Sequence, residues 1–261
     1  MKLDDVTISE AIVDSFFKEF KDNLRVQVAI VGAGPAGLTA GYYLAKEGIK
    51  VVIFERNLRI GGGMPGGGIM FNKIVVQEPA REILEEVEIR YSQYQEGYYV
   101  ASSLEATASL ALKSIKQGVK IFNLIGMEDV MIKEERVEGL VINWEPVRIA
   151  KLHVDPITVS SQVTIDATGH GCEVVKKIQK RENIKLKTPT GKILGEGPMW
   201  AEKGETTILE CTKEVYPGLY VIGMAANAVF GAPRMGPIFG GMLLSGRKVA
   251  EIILSKIKTK K

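Results

Sequence analysis

Apolar residues recur at Ile8, Ile12, Phe16 and Phe20, one stripe at helical spacing, and the run predicts an N-terminal helix over 7–22. Thr7 stands three residues before Glu10, the spacing of a capping box at the helix start. The stripe must dock on the domain or on a neighbouring subunit. From Gln27 the pattern changes to an apolar strand, a glycine-rich turn, a helix and a second apolar strand, "QVAIVGAGPAGLTAGYYLAKEGIKVVIFER". "PAREILEEVEIRYSQYQEGYYVASSLEATASLALKSIKQG" reads as helical segments around a short strand-like piece near Tyr98 to Val100. Strands separated by polar turns follow and predict an antiparallel insertion at about 119–146. The strand "VTID" then runs into Ala-Thr-Gly-His, and the strand "GLYVIG" leads through a Gly/Pro-rich loop to a final helix beginning near Gly240. These elements predict one α/β dinucleotide-binding domain over 1–261: a parallel sheet with an antiparallel insertion and flanking helices.

Composition narrows the function classes. The 261 residues are 46% hydrophobic and 25% charged, an ordinary globular balance. A net charge of +3, with its one basic cluster at Lys258 to Lys261, gives no support for nucleic acid or membrane-surface partners. No apolar run reaches the ~20 residues of a membrane span, and no signal-peptide pattern opens the chain, so a cytoplasmic location is expected. Cys172 and Cys211 are too few for a disulfide scaffold or a four-thiolate metal site and read as free thiols.

Gly32, Gly34 and Gly37 occupy the G-x-G-x-x-G positions after a strand and at a helix start, and Glu55 follows 23 positions after the first glycine. In that context the glycines let backbone N–H groups approach a pyrophosphate, while Glu55 can accept from an adenosine ribose. Directly after Glu55-Arg56, glycines crowd into 61–68, a run suited to a loop that covers a cofactor. Further on, His153 and Asp155 lie two apart in "KLHVDPITV". In an extended segment both face one side, available to a metal, a substrate or only to solvent.

The βαβ unit, the insertion, "ATG" and the final "GLYVIG" strand resemble the glutathione-reductase-type dinucleotide-binding fold, whose default reading is an FAD-dependent oxidoreductase. Such flavoproteins commonly have Gly-Asp after the last strand. Here Gly223-Met224 stands there, and methionine offers no strong hydrogen bond to a flavin's ribityl chain, which disfavours FAD. Taken together, "GAGPAGLTA", "FER", "GGGMPGGGIMFN", "HVDP", "ATGH" and "GMAANAVFGAPRMGPIFGGMLLSG" resemble the thiamine thiazole synthase family in its archaeal-type branch, over essentially the whole chain.

That resemblance implies a reaction in which NAD loses nicotinamide and its ADP-ribose portion joins glycine and sulfur to give an adenylated thiazole carboxylate (ADP-thiazole). It assigns Ala36, Glu55, Arg56, Gly63, Met127 and Met224 to the NAD-derived ligand, with Ala36 replacing a serine common in relatives. Arg234 would grip the glycine carboxylate. Asp155 and His170 match the iron ligands, donor types that suit Fe(II) and that zinc or manganese also accept. Relatives share the metal site between adjacent protomers of a homo-octamer. Eukaryotic-type relatives have a sulfur-donating cysteine where this chain has His153, so the resemblance implies free sulfide as sulfur source. His153 is then a candidate for proton transfer or a spacer, and Cys172 a rival sulfur donor. An FAD oxidoreductase, a ribose-bisphosphate isomerase and a non-catalytic NAD-binding module are the competing functions.

Overall fold

In the computed structural model, residues 2–258 are described; Thr259 to Lys261, most of the basic terminal cluster, lie outside them. The chain opens with α1 (Asp5–Asp22), β1 (Arg25–Val31), α2 (Pro35–Lys46) and β2 (Val51–Glu55). There follow β3 (Lys73–Val76), α3 (Glu78–Glu86), β4 (Tyr91–Gln95), β5 (Tyr98–Ser102) and α4 (Ser103–Lys116). Next come β6 (Lys120–Asn123), β7 (Ile125–Lys133), β8 (Arg136–Trp144), α5 (Glu145–Ile149) and β9 (Ile157–Asp166). The chain continues with α6 (Glu173–Gln179), α7 (Ala201–Cys211), β10 (Lys213–Tyr216), β11 (Leu219–Val221), α8 (Met224–Phe230) and α9 (Gly240–Lys258).

The main sheet runs β10-β11-β9-β1-β2-β6, and its inner pairings, from β11 to β6, are parallel. Val28, Ala29 and Ile30 of β1 are wholly buried because helices cover both faces of the sheet, as a central parallel strand requires. The long strand β9 splits one edge between two neighbours: its first half pairs antiparallel with β8, its second half parallel with β11. Helix α2 is buried along most of its length, so its small and apolar residues pack on every side, and α9 is among its neighbours.

Several predicted boundaries shift for physical reasons. Helix α1 begins one turn early because the Asp4 carboxylate caps it, accepting from Thr7 N and Thr7 Oγ1 at 2.8 and 2.9 Å; Thr7 lies inside the first turn and is not the cap. The antiparallel hairpin is β7–β8. Lys120–Asn123, predicted within the insertion, instead pairs in parallel with β2. The piece near Tyr98 is one strand of a separate antiparallel sheet, β3-β5-β4, in which β4 is almost wholly exposed. Of the α1 stripe, Phe20 is buried and Phe16 half-buried among Phe122 and Trp144, whereas Ile8 and Ile12 remain exposed. Among the described residues no helix is long and apolar enough to cross a membrane.

Candidate functional site

A cavity of about 1250 Å³ opens at the carboxyl ends of β1, β2 and β9, where ligands of open α/β sheets bind. Its nucleotide-like end is built by the β1–α2 turn. Gly32 has φ +103°, and a Cβ there would lie 2.6 Å from the Ala167 carbonyl oxygen. At Gly37 a Cβ would come within 2.1 Å of the Gly32 carbonyl oxygen, so only glycine lets the helix begin this close to the strand. Gly34 caps α2 without a side-chain bond, leaving first-turn N–H groups available to an anion.

Glu55 closes β2 and is buried at 5% exposure. Three donors compensate that burial: Ala33 N at 2.9 Å on Oε2, and Asn57 N and Nδ2 at 2.8 and 2.7 Å on Oε1. The carboxylate is thereby anchored beside the turn. The glycine-rich loop packs onto the same turn: Gly61 N donates to Ala33 O at 2.7 Å, and Gly62, Gly63 and Met64 line the cavity. Arg56 also lines it and pairs with Glu173 at 2.6 Å, both of them partly exposed.

The second end is organised by the turn after β9. Asp166 is wholly buried, and burial pushes its carboxyl above the usual carboxylate range against the opposing hydrogen bonds. It accepts from Thr168 N and Oγ1 at 3.0 and 2.6 Å and from Val175 N at 3.1 Å, while Thr168 Oγ1 accepts from Glu173 N at 2.7 Å. These bonds fix the Ala-Thr-Gly turn and hold His170 at the cavity. His170 Nδ1 meets Glu196 Oε1 at 2.5 Å, and Arg234 Nε lies 3.7 Å from Glu196 Oε2.

Of the residues named from sequence, Gly32, Gly34, Ala36, Glu55, Arg56, Gly63, Met127, His170, Met224 and Arg234 line this one cavity. Gly37 does not line it but shapes the turn from behind. His153 and Asp155 are also not among its lining residues; they sit on the exposed loop between α5 and β9. That loop is tied down by Asn143 Nδ2, which donates to Val154 O at 3.1 Å. Of the predicted Asp155 and His170 pair, His170 lines the cavity and Asp155 does not, although the adjacent Pro156 does. Among the described residues no group of three or more His, Cys, Asp or Glu side chains could hold a metal.

Sequence reasoning missed Glu196, Asn143 and Glu173. Glu196 has one local signal, an acid between two glycines in "LGEGP", too common to stand out. Cys172 is buried, and burial pushes its thiol up to about 12, with Asp166 adding to the shift, so it is held as a neutral thiol.

The Thi4 family's sequence profile matches residues 9–239. The thiamine thiazole synthase of Methanothermobacter thermautotrophicus is 59% identical over 258 residues, covering 99% of this chain and all of that one. That of Pyrococcus furiosus is 60% identical over 255 residues, covering 98% of this chain and 99% of the relative. Among solved structures, Thermovibrio ammonificans THI4 superposes with a TM-score of 0.97 at 51% identity, over 98% of this chain and 100% of that one. A geranylgeranyl bacteriochlorophyll reductase-like protein from Thermoplasma acidophilum reaches 0.54 at 15% identity over 90% of this chain and 79% of that one, a likeness of fold alone.

Proposed function

Since the chain belongs to the Thi4 family, we propose that it is a biosynthetic enzyme making the thiazole precursor of thiamine: a sulfide-dependent ADP-thiazole synthase. NAD, glycine and free sulfide are its substrates, nicotinamide is released, and Fe(II) is required. One observation carries this reading. The glycine turn, Glu55, His170 and Arg234 converge on a single cavity large enough for a dinucleotide and a small amino acid.

In this reading the α2 N-terminus and the glycine turn take the pyrophosphate, and Glu55 takes the ribose. Met127 and Met224 line the cavity, and the Met224 thioether, at the position where flavoproteins commonly have an acid, offers a flavin's ribityl chain no strong hydrogen bond. The Arg234 guanidinium binds the glycine carboxylate and orients it. The donor set fits Fe(II): the His170 imidazole is backed by the Glu196 carboxylate, the arrangement that supports a metal-binding histidine. Bound between His170 and Asp155, the metal would supply open positions for sulfide.

Asp155 would come from an adjacent protomer, as in the relatives this chain resembles; its side chain is exposed and does not line the cavity of its own chain, although its neighbour Pro156 does. The same step would bring His153, whose imidazole can accept and donate a proton and contains no sulfur to surrender. A homo-octamer with shared sites is the assembly proposed.

Anaerobic incubation with NAD, glycine, Fe(II) and sulfide should give an adenylated thiazole by mass detection. No product with Fe(II), Mn(II) or Zn(II) would sink the proposal. Conversely, a stoichiometric flavin spectrum in the purified protein would favour an FAD oxidoreductase, and phosphate-sugar turnover without iron a ribose-bisphosphate isomerase.

A further inference from the structure

Glu196 stands between two residues proposed above for different tasks. Its Oε1 lies 2.5 Å from His170 Nδ1 and its Oε2 lies 3.7 Å from Arg234 Nε. Unlike a solvated surface acid, its side chain is only 15% exposed. Its backbone is also held on both sides: Gly195 N donates to Ala228 O at 3.0 Å, Gly197 N to Ala232 O at 3.0 Å, and Arg234 N to Gly197 O at 3.4 Å. The short segment carrying Glu196 is thus clamped onto the one carrying Arg234, while the Asp166-ordered turn brings His170 from the other side.

We propose that Glu196 is a positioning residue that fixes the tautomer and orientation of His170. An ionised carboxylate has no proton to give, so a neutral imidazole facing it must carry its hydrogen on Nδ1. Nε2 is then the nitrogen whose lone pair stays available, and the ring cannot turn without breaking the bond to Oε1. Arg234 gives the second oxygen a cationic neighbour, which restrains the carboxylate plane and ties the imidazole and guanidinium to one support. The proposal rests on the reading of His170 as a metal ligand, but the tautomer it requires exists without metal.

The chain's two histidines make the test direct. In metal-free protein labelled with 15N-histidine, at an alkaline pH where free imidazole is neutral, solid-state 15N NMR should show His170 as the Nδ1–H form; His153→Gln assigns the signals. Glu196→Ala should shift His170 to the Nε2–H form. Glu196→Gln, whose amide can accept or donate, should give a mixture. Fe(II) affinity, measured anaerobically against a competing chelator, should fall about 10–100-fold in Glu196→Ala.

Retention of the Nδ1–H form in Glu196→Ala, or an Fe(II) affinity equal to wild type, overturns the proposal. If Glu196→Ala does not fold, the wild-type spectrum decides: an Nε2–H His170 defeats it. A wild-type protein that shows the Nδ1–H form yet makes no thiazole would count against the reaction reading alone.

Discussion

The two ends of the cavity are finished to different degrees within one chain. At the nucleotide end, the glycine turn, the buried Glu55 with its three donors and the packed Gly61–Gly62 segment are all in place. At the other end, His170, Glu196 and Arg234 are assembled, but His153 and Asp155 are exposed and do not line the cavity, to which their loop contributes Pro156. A rigid pyrophosphate cradle needs only one strand-turn-helix. The proposed chemistry draws on loops distant in sequence, and this contrast says where substitutions will act on binding and where on turnover.

The sharpest way to separate the ends is to remove the proposed metal ligands. Asp155→Ala and His170→Ala should each lower product formation by more than about 100-fold, above the range for losing a ligand's supporting residue. ADP-ribose affinity, measured by calorimetry, should stay near wild type; a parallel collapse would mean that the two ends are not separable.

Gly37→Ala attacks the opposite end. Its Cβ would meet the Gly32 carbonyl at 2.1 Å, so the helix start must shift, at a cost of about 1–3 kcal/mol in stability and with loss of tight ADP-ribose binding. Denaturant unfolding and calorimetry check both, and undiminished ADP-ribose affinity would dissociate the turn from the ligand.

A smaller effect probes the support of the Arg234 segment. Glu205 of α7 accepts from Gly241 N at 2.6 Å at the start of α9, and burial pushes its carboxyl up to about 7. The folded state therefore holds a proton that the unfolded chain releases near pH 4.5, so its contribution is present at low pH and is lost as pH rises towards 7. Glu205→Gln should remove this loss, gaining on the order of 2–3 kcal/mol relative to wild type between pH 5 and pH 8. Thermal melts at the two pH values measure it; an equal difference at both would show that Glu205 does not titrate in that window.

The smallest expected effect is none. With its thiol pushed up to about 12, Cys172 should alkylate slowly at pH 8, and intact mass after turnover should show no loss of hydrogen sulfide at either cysteine. Such a loss would replace free sulfide with a protein sulfur donor.

Legibility along the chain followed the range of the interactions. The "GAGPAG" turn and Glu55 could be read because their spacing within one βαβ unit is itself the structural requirement. Strand β4, "YSQYQ", could not, because it is exposed along most of its length and shows no apolar alternation. The cap of α1 lies one turn before Thr7 because the Asp4 carboxylate accepts from the Thr7 N–H, a contact that the Thr7–Glu10 spacing does not report. Glu196 left only an acid between two glycines, and Asn143 left no pattern. Glu196 meets His170 across 26 residues, and Asn143 reaches Val154 across 11.

By itself, then, the sequence determined the dinucleotide turn, the alternation of strands and helices, and the absence of sulfur at His153, since each resides in neighbouring residues. Only the tertiary structure decided that Glu196 joins His170 to Arg234 and that Pro156, not the exposed Asp155, lines the cavity. Those relations depend on how β9, α8 and the loops between them are brought side by side, and the register that does so is set by burial and backbone pairing spread over the whole sheet.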